Sequence, residues 1–93
     1  MPYRKERTEK IIRELAATFI EKESGPQSLI TVTRVETRNR ERTATIYLNV
    51  MPKDKEEVVM QFLSRKVNEF KEYLRDNSRL SSVPFTEFKL DKI

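Results

Sequence analysis

Basic side chains form three groups along the chain, and their chemistry suits contact with phosphate. An arginine guanidinium presents a planar fork of N–H donors that matches phosphate oxygens, and lysine adds a compact point charge. One group opens the chain, one surrounds a charged turn near residue 40, and one lies in the second half. The predicted phosphate-contacting residues are Arg4, Lys5, Arg7, Lys10, Arg13, Arg38, Arg40, Arg65, Lys66, Lys71, Arg75 and Arg79.

A solvated surface with local ion pairs is the alternative interpretation of these residues. Glu9, for example, stands four residues before Arg13, at the spacing of a helical ion pair. The charge is nevertheless segregated, because residues 1–13 carry a net charge of +3 and residues 14–33 a net charge of −2. This contrast favours phosphate contact for the first group, whereas both interpretations stay open for the arginines of the turn.

Composition argues against catalysis. The 93 residues include no cysteine and no histidine, which removes the thiolate nucleophile, the commonest general base and the commonest metal ligand. No paired carboxylates stand in an apolar setting that would separate their pKa values. We therefore predict a protein that is not an enzyme and uses no cofactor or metal. A net charge of +4 favours an anionic partner such as nucleic acid.

The chain length and hydropathy predict a single small domain. Ninety-three residues can bury one modest core. No apolar run approaches the length of a membrane span, and no signal-peptide core follows the charged start. We expect a cytoplasmic monomer over residues 1–93, with neither a membrane partner nor a small-molecule substrate.

The first predicted element is an amphipathic helix. Residues 1–7 are polar and basic, and we expect them to form a loose arm. An apolar stripe at helical spacing follows Thr8, the predicted N-cap, and ends near Glu23. Gly25 and Pro26 come next and cannot easily continue a helix.

Two strands joined by the charged turn are predicted over residues 29–37 and 42–50. The second strand alternates apolar and polar residues, as a strand with one buried face does. The first alternates less cleanly, since Val32 and Val35 are three residues apart. A bulge, or a strand buried on both faces, would explain that spacing.

A long helical stretch is predicted over residues 55–76, with Asp54 and Glu57 placed as a capping box. Its large apolar residues are interrupted at Lys66, Val67 and Asn68. We expect a helix kink there, and a straight helix is the alternative.

The last predicted strand covers residues 85–90, after Val83 and Pro84. The order α-β-β-α(-α)-β predicts an α+β fold in which helices cover one face of a three-stranded mixed sheet. Tyr3, Tyr47 and Phe85 are candidates for stacking on bases, although the alternation of strand two favours sheet packing for Tyr47. The spacing of the other phenylalanines predicts core positions for Phe19, Phe62, Phe70 and Phe88.

Several stretches, in this order and spacing, resemble the ribosome-binding factor A family. They are the opening helix with its glycine-proline end, the pair ITVTRVE and RTATIYLNV, and the closing segment RLSSVPFTEFKLD. The resemblance implies a type II KH-like domain. The family usually bends its long helix at an alanine-x-glycine motif, which would fall on Lys66, Val67 and Asn68, where this chain has no glycine.

The resemblance also implies a function. Family members assist maturation of the small (30S) ribosomal subunit: they bind 16S rRNA on free small subunits, support late rRNA processing and are linked to growth in the cold. Two alternatives remain at this point. One is a generic KH-like RNA-binding module with another RNA target, and the other is a protein-interaction domain whose long helix docks a partner.

Overall fold

Three strands form one mixed sheet, with helices packed on one of its faces. The computed structural model describes residues 2–80 and 82–92. In chain order the elements are α1 (Pro2–Glu23), β1 (Leu29–Arg38), β2 (Thr43–Met51), a 3₁₀ turn (Lys53–Lys55), α2 (Glu56–Ser64), α3 (Val67–Asn77) and β3 (Phe85–Leu90). This order and the α+β class confirm the prediction.

Strand β2 lies at the centre of the sheet, antiparallel to β1 and parallel to β3. Its apolar residues face the helices and are buried, as the alternation predicted; they are Ala44, Ile46, Leu48 and Val50. The parallel pairing with β3 places the start of β3 beside the start of β2. The hairpin turn and the start of β3 are therefore at the same end of the domain.

A bulge explains the irregular spacing in β1. The register shifts between Val32 and Arg34, so that Val32 pairs with Leu48 and Val35 pairs with Ile46. Both valines therefore share the helix-covered face with the apolar side of β2. Of the two explanations offered by the sequence, the bulge is confirmed.

Helix α1 begins earlier than predicted. It starts at Pro2, so the loose arm predicted over residues 1–7 is wrong for residues 2–7, and Met1 lies outside the described residues. Thr8 lies inside the helix and is not its N-cap. Part of the physical reason is local, since proline suits the first helical position and the arginine, lysine and glutamate residues that follow are good helix formers. The other part is the contact of Glu9 with Thr37, which holds the early turns of α1 on the hairpin.

The predicted capping box is also wrong. The chain enters α2 through the 3₁₀ turn, in which the Lys55 amide donates to the Pro52 carbonyl at 3.0 Å. Asp54 is inside that turn, and the residue before α2 is Lys55, whose side chain makes no cap hydrogen bond. The turn itself thus replaces the side-chain cap.

The long helix is broken, as expected, but slightly earlier than expected. Helix α2 ends at Ser64 and α3 starts at Val67, with Arg65 and Lys66 in a turn whose amides donate to Phe62 and Leu63 carbonyls at 3.2 and 2.9 Å. Asn68 is helical and does not take a positive φ. No glycine is needed, since a 3₁₀-type turn changes the helix direction with ordinary backbone angles.

The helices on either side of the break both contribute large apolar residues to the core. Val59 and Leu63 of α2 are buried, and Phe70 and Leu74 of α3 are fully buried. The Phe70 ring contacts two aromatic partners, with centroid distances of 5.2 Å to Phe19 and 5.5 Å to Phe88. The predicted core positions of Phe19 and Phe70 are confirmed, while Phe62 and Phe88 are half-buried against the same core.

Candidate nucleic-acid interface

The start of α1 is fixed against the end of the hairpin by one carboxylate. The backbone amide and the hydroxyl of Thr37 both donate to Oε2 of Glu9, at 2.8 and 3.0 Å. Thr37 is almost fully buried and directly precedes Arg38 in the hairpin. The first turns of α1, which carry Arg4 to Arg7, extend past this contact, each residue adding about 1.5 Å along the helix axis.

Helix α3 starts beside the end of α1 and runs antiparallel to the last part of that helix. Lys66, just before α3, pairs with Glu23 at the end of α1 at 3.3 Å. Further along α3, Phe70 and Tyr73 both contact Phe19, with centroid distances of 5.2 and 5.4 Å. The Tyr73 ring also lies 5.4 Å from the Lys22 ammonium, so the contacts between the two helices involve the second half of α1.

The hairpin turn, β3 and α3 meet at Phe85. The amide of Phe85 donates to the Arg42 carbonyl at 2.9 Å, and Phe85 pairs with Thr43 in the sheet. The ammonium of Lys71 lies 4.6 Å from the centroid of the Phe85 ring. These contacts join the start of α1, the hairpin turn, α3 and the start of β3. The basic residues that these elements carry, with Arg79 just after α3, are here termed the basic end: Arg4, Lys5, Arg7, Lys10, Arg13, Arg38, Arg40, Arg42, Lys71, Arg75 and Arg79.

The basic end includes, by this definition, ten of the twelve residues predicted to contact phosphate, together with Arg42. The remaining two, Arg65 and Lys66, lie in the α2–α3 turn at the opposite end, near the end of α1. Lys66 makes ion pairs with Glu23 and Glu69 at 3.3 and 3.4 Å, and hydrogen bonds first to Glu23 and then to Glu69 raise its pKa. The Lys66 ammonium is thus paired with carboxylates of the protein itself.

Cations at the start of α1 lack local partners. Among the described residues, none of the five basic side chains from Arg4 to Arg13 makes an ion pair. The pair between Glu9 and Arg13 does not form, because Glu9 accepts its hydrogen bonds from Thr37. For this group the solvated ion-pair interpretation loses its main support.

Ion pairs elsewhere at the basic end are long and exposed. Arg38 is 3.5 Å from Glu36, and Arg75 is 3.7 Å from both Glu72 and Asp76. Exposed pairs of this kind contribute about 0–1 kcal/mol. An incoming phosphate can therefore compete for these guanidinium groups at little cost.

Three consecutive residues at the hairpin turn have left-handed backbone conformations. Asn39, Arg40 and Glu41 have φ values of 54°, 56° and 62°. The Arg42 amide closes the turn by donating to the Arg38 and Asn39 carbonyls at 3.0 and 3.2 Å. Asparagine tolerates this region, but arginine and glutamate adopt it at an energetic cost.

We expect the Glu41→Gly substitution to stabilise the domain. Glycine adopts the left-handed conformation without strain, and after its greater freedom in the unfolded chain is subtracted, a gain of about 0.5–1 kcal/mol remains. A thermal melt should show a rise of a few degrees for a domain of this size. Glu41→Ala is the matched control, since it removes the same carboxylate and keeps the strain. A glycine variant that melts no higher than the alanine variant would contradict the expectation.

Two of the candidates for base stacking, Phe85 and Tyr47, differ in their exposure and contacts. Phe85 is 71% exposed. Tyr47 lies in the sheet, where the Arg34 guanidinium is 3.9 Å from its ring centroid and its hydroxyl donates to Glu36 at 3.3 Å. The ring of Tyr47 is thus engaged with its neighbours, as strand packing predicted. The side chain of Tyr3 lies outside the described part of the molecule.

Two open grooves flank the basic end. One, of about 550 Å³, lies between α3 and the segment before β3 and is lined by Asn68, Lys71, Glu72, Arg75, Leu80 and Val83. The other, of about 380 Å³, lies beside the hairpin turn and includes Arg38, Asn39, Thr43 and Phe85. Sequence reasoning did not identify Asn39 or Glu9, since their roles depend on contacts between elements distant in the chain.

Neither a metal-binding cluster nor a membrane-spanning helix is present among the described residues. Across residues 2–80 and 82–92, no group of three or more acidic side chains is placed to hold a metal ion. Within those residues no helix combines the length and the apolar character that crossing a membrane requires. The basic end offers guanidinium and ammonium groups beside the exposed ring of Phe85, with carboxylates of Glu72 and Glu87 in the flanking grooves.

The fold and the basic end define a KH-like α+β domain with a cationic surface. The sequence model of the family "Ribosome-binding factor A" matches residues 4–93, and the chain belongs to that family. A ribosome-binding factor A of Pseudothermotoga lettingae is 31% identical over 93 residues, which cover 96% of this chain and 78% of that protein.

Solved structures support the fold. The crystal structure of ribosome-binding factor A from Thermus thermophilus is similar with a TM-score of 0.81 and 23% identity, over 92% of this chain and 93% of that chain. A homology model of the Thermus thermophilus factor, fitted into a cryo-EM map of a 30S complex of that factor, is similar with a TM-score of 0.74 and 22% identity. That likeness covers 85% of this chain and 86% of the other.

Proposed function

We propose that this protein is an assembly factor of the small ribosomal subunit, which binds 16S rRNA on free 30S subunits and supports late rRNA processing. Membership of the ribosome-binding factor A family supports the ribosomal target. The Thermus factor, whose fold this chain shares, has been fitted into a map of its 30S complex. Such a role places the protein in the cytoplasm, and by the resemblance it suits growth in the cold.

The observation that carries the proposal is that two helices carrying basic groups both contact the hairpin end of the sheet. Glu9 of α1 binds Thr37 beside the hairpin turn, and Lys71 of α3 contacts Phe85, whose amide binds the Arg42 carbonyl. Cations on a rigid scaffold neutralise several phosphates at once, and the release of condensed counterions then favours binding. Phosphate contacts position the protein on folded RNA without reading its sequence.

The proposed activity needs no covalent step. The basic end offers guanidinium and ammonium donors, which are binding groups and poor general bases at neutral pH. Its binding energy can favour one fold of the RNA over competing folds, because a ligand shifts an equilibrium towards the state that it binds better. Support of rRNA processing then follows from holding the precursor in a fold that nucleases can act on.

We predict a strong salt dependence of binding to rRNA. If about five phosphates are neutralised, a plot of log K against log salt concentration should have a slope near −4 for duplex RNA, and a shallower slope for single strands. Fluorescence anisotropy with labelled small-subunit rRNA between about 50 and 200 mM salt, the range over which such contacts weaken, measures this slope. A slope near zero would exclude phosphate contact as the main source of affinity.

Sucrose-gradient fractionation of cells that contain a tagged version of the protein tests the proposal. We expect the tag in the free small-subunit fractions, with little in joined ribosomes. A generic RNA-binding module would instead spread over fractions containing other transcripts. A protein-interaction domain would stay near the top of the gradient, or in a complex that persists after ribonuclease treatment.

A further inference from the structure

Phe85 is exposed in a way that the other described phenylalanines are not. Phe19 and Phe70 are buried, whereas 71% of Phe85 is open to solvent. Phe85 begins β3 and shares a rung of the sheet with Thr43 and Arg38, on the face that the helices leave uncovered. The packing of the domain does not account for an aromatic ring at this position.

One cation contacts the Phe85 ring, and a second lines the groove beside it. The Lys71 ammonium reaches over the sheet edge to within 4.6 Å of the ring centroid. Arg38, from the same rung, lies in the groove of about 380 Å³ that Phe85 also lines. A cation beside an aromatic face is favourable in itself. Arg38 adds a positive charge to the groove, which Glu87 also lines.

The groove beside the Phe85 ring is lined by polar side chains of the hairpin and the sheet. Asn39 lines it, and its side-chain amide makes no hydrogen bond to another described residue. The Thr45 hydroxyl, also on the wall, is 3.3 Å from a carboxylate oxygen of Glu87. The wall therefore offers both donors and acceptors to the edge of a flat ligand.

We propose that Phe85 is a stacking platform for one unpaired base of the bound RNA. The base lies on the open face of the ring, Lys71 and Arg38 contact the phosphates on either side of it, and Asn39 faces its edge. Every base has a π-face, so the platform accepts any sequence in single-stranded form and excludes paired bases. This inference rests on the RNA-binding function proposed above and identifies an unpaired nucleotide as part of the target.

The surroundings favour RNA over a protein partner at this position. The other large exposed hydrophobic side chains among the described residues are Leu29, Met51 and Val58, which belong to the opposite end of the domain. Phe85 is thus an isolated exposed ring beside charged and polar side chains, and it does not continue into an apolar patch. Protein interfaces require such a patch at their centre, whereas single-strand binding sites combine aromatic rings with basic grooves.

Substitutions of Phe85 separate stacking from phosphate contact. The probes are a single-stranded oligoadenylate about ten nucleotides long and a blunt RNA duplex of the same length. Phe85→Leu keeps apolar volume but removes the ring, and we expect it to weaken binding of the single strand about 10-fold without changing the salt slope or duplex binding. Phe85→Tyr should stay close to the unmodified protein. Met51→Leu, an exposed position at the opposite end, is the matched control.

The outcomes distinguish this inference from the function on which it rests. If the unmodified protein binds small subunits with the expected salt slope but the Phe85→Leu variant binds oligoadenylate equally well, the stacking platform is wrong and the phosphate surface stands. Failure of the unmodified protein to bind oligoadenylate while it binds subunits overturns the platform as well. If it binds neither RNA nor subunits, both proposals fail.

Discussion

Reversal of four charges at the start of α1 is expected to abolish small-subunit binding without unfolding the domain. The substitutions are Arg4→Glu, Lys5→Glu, Arg7→Glu and Lys10→Glu, at positions where no ion pair is made within the described structure. If each residue contacts one phosphate, affinity near 0.1 M salt should fall on the order of 10³-fold. Acidic residues near a helix N-terminus are favourable, so the helix itself should tolerate the change. Co-sedimentation with purified subunits measures the loss, and circular dichroism checks the fold.

A matched variant at the opposite end controls for the change in net charge. Lys53→Glu, Lys55→Glu, Arg65→Glu and Lys92→Glu remove the same number of positive charges. The exposed pair between Lys92 and Glu56, at 3.6 Å, contributes about 1 kcal/mol at most, so this variant should also fold. We expect it to bind subunits far better than the α1 variant. Equal loss in the two variants would mean that net charge alone, and not the basic end, governs binding.

The Phe70→Ala substitution should have the largest effect on stability. Phe70 is fully buried, and its ring contacts the rings of Phe19 and Phe88. Truncation of a buried phenylalanine costs about 3–5 kcal/mol, through lost burial and the cavity left behind. For a domain of this size that corresponds to a fall in the melting temperature of about 15 °C or more. Urea unfolding gives the free energy directly.

Two further variants test whether loss of a buried ring causes the destabilisation by Phe70→Ala. Phe70→Leu refills most of the cavity and should cost clearly less than the alanine substitution. Phe85→Ala removes a phenylalanine that is mostly exposed and should change stability by less than about 1 kcal/mol. If Phe70→Ala and Phe85→Ala were equally destabilising, the described division between core and surface rings would be wrong.

The hairpin and the last strand could be predicted from the sequence because their signals are local. Period-two alternation from Ala44 to Val50 determines which face of β2 is buried, and the register confirms it. The spacing of Val32 and Val35 already required either a bulge or a second buried face, and pairing with β2 determines which. Strand pairing is a contact between distant residues, so the sequence alone left that choice open.

The predicted helix starts were wrong because each rested on the N-cap preference of a single residue. Thr8 and Asp54 are typical N-cap residues, yet Thr8 lies within α1 and Asp54 within the 3₁₀ turn. Tertiary contacts override such preferences: Glu9, bound to Thr37, fixes the early turns of α1 on the hairpin. A helix extends as far as contacts stabilise its next turn. Contacts with residues distant in the chain cannot be read from a short window of sequence.

The candidate site could be predicted in part. The types of its residues suggested phosphate contact, and ten of the twelve lie in or just after the elements that make up the basic end. The inclusion of Lys66 among the phosphate contacts loses support because α3 runs antiparallel to α1, which places this lysine beside Glu23. The sequence does not show whether a lysine faces a carboxylate or is open to a ligand. That depends on how the helices pack.

Directed hydroxyl-radical probing tests most directly whether the basic end faces rRNA. The chain contains no cysteine, so a single introduced cysteine can carry a tethered iron chelate without a competing thiol. Glu6→Cys places the chelate among the α1 cations, and Asp54→Cys places it at the opposite end; both positions are exposed and acidic. In complexes with free small subunits, we predict strong 16S rRNA cleavage from position 6 and weak cleavage from position 54. Stronger cleavage from position 54 would contradict the assignment of the RNA-binding surface.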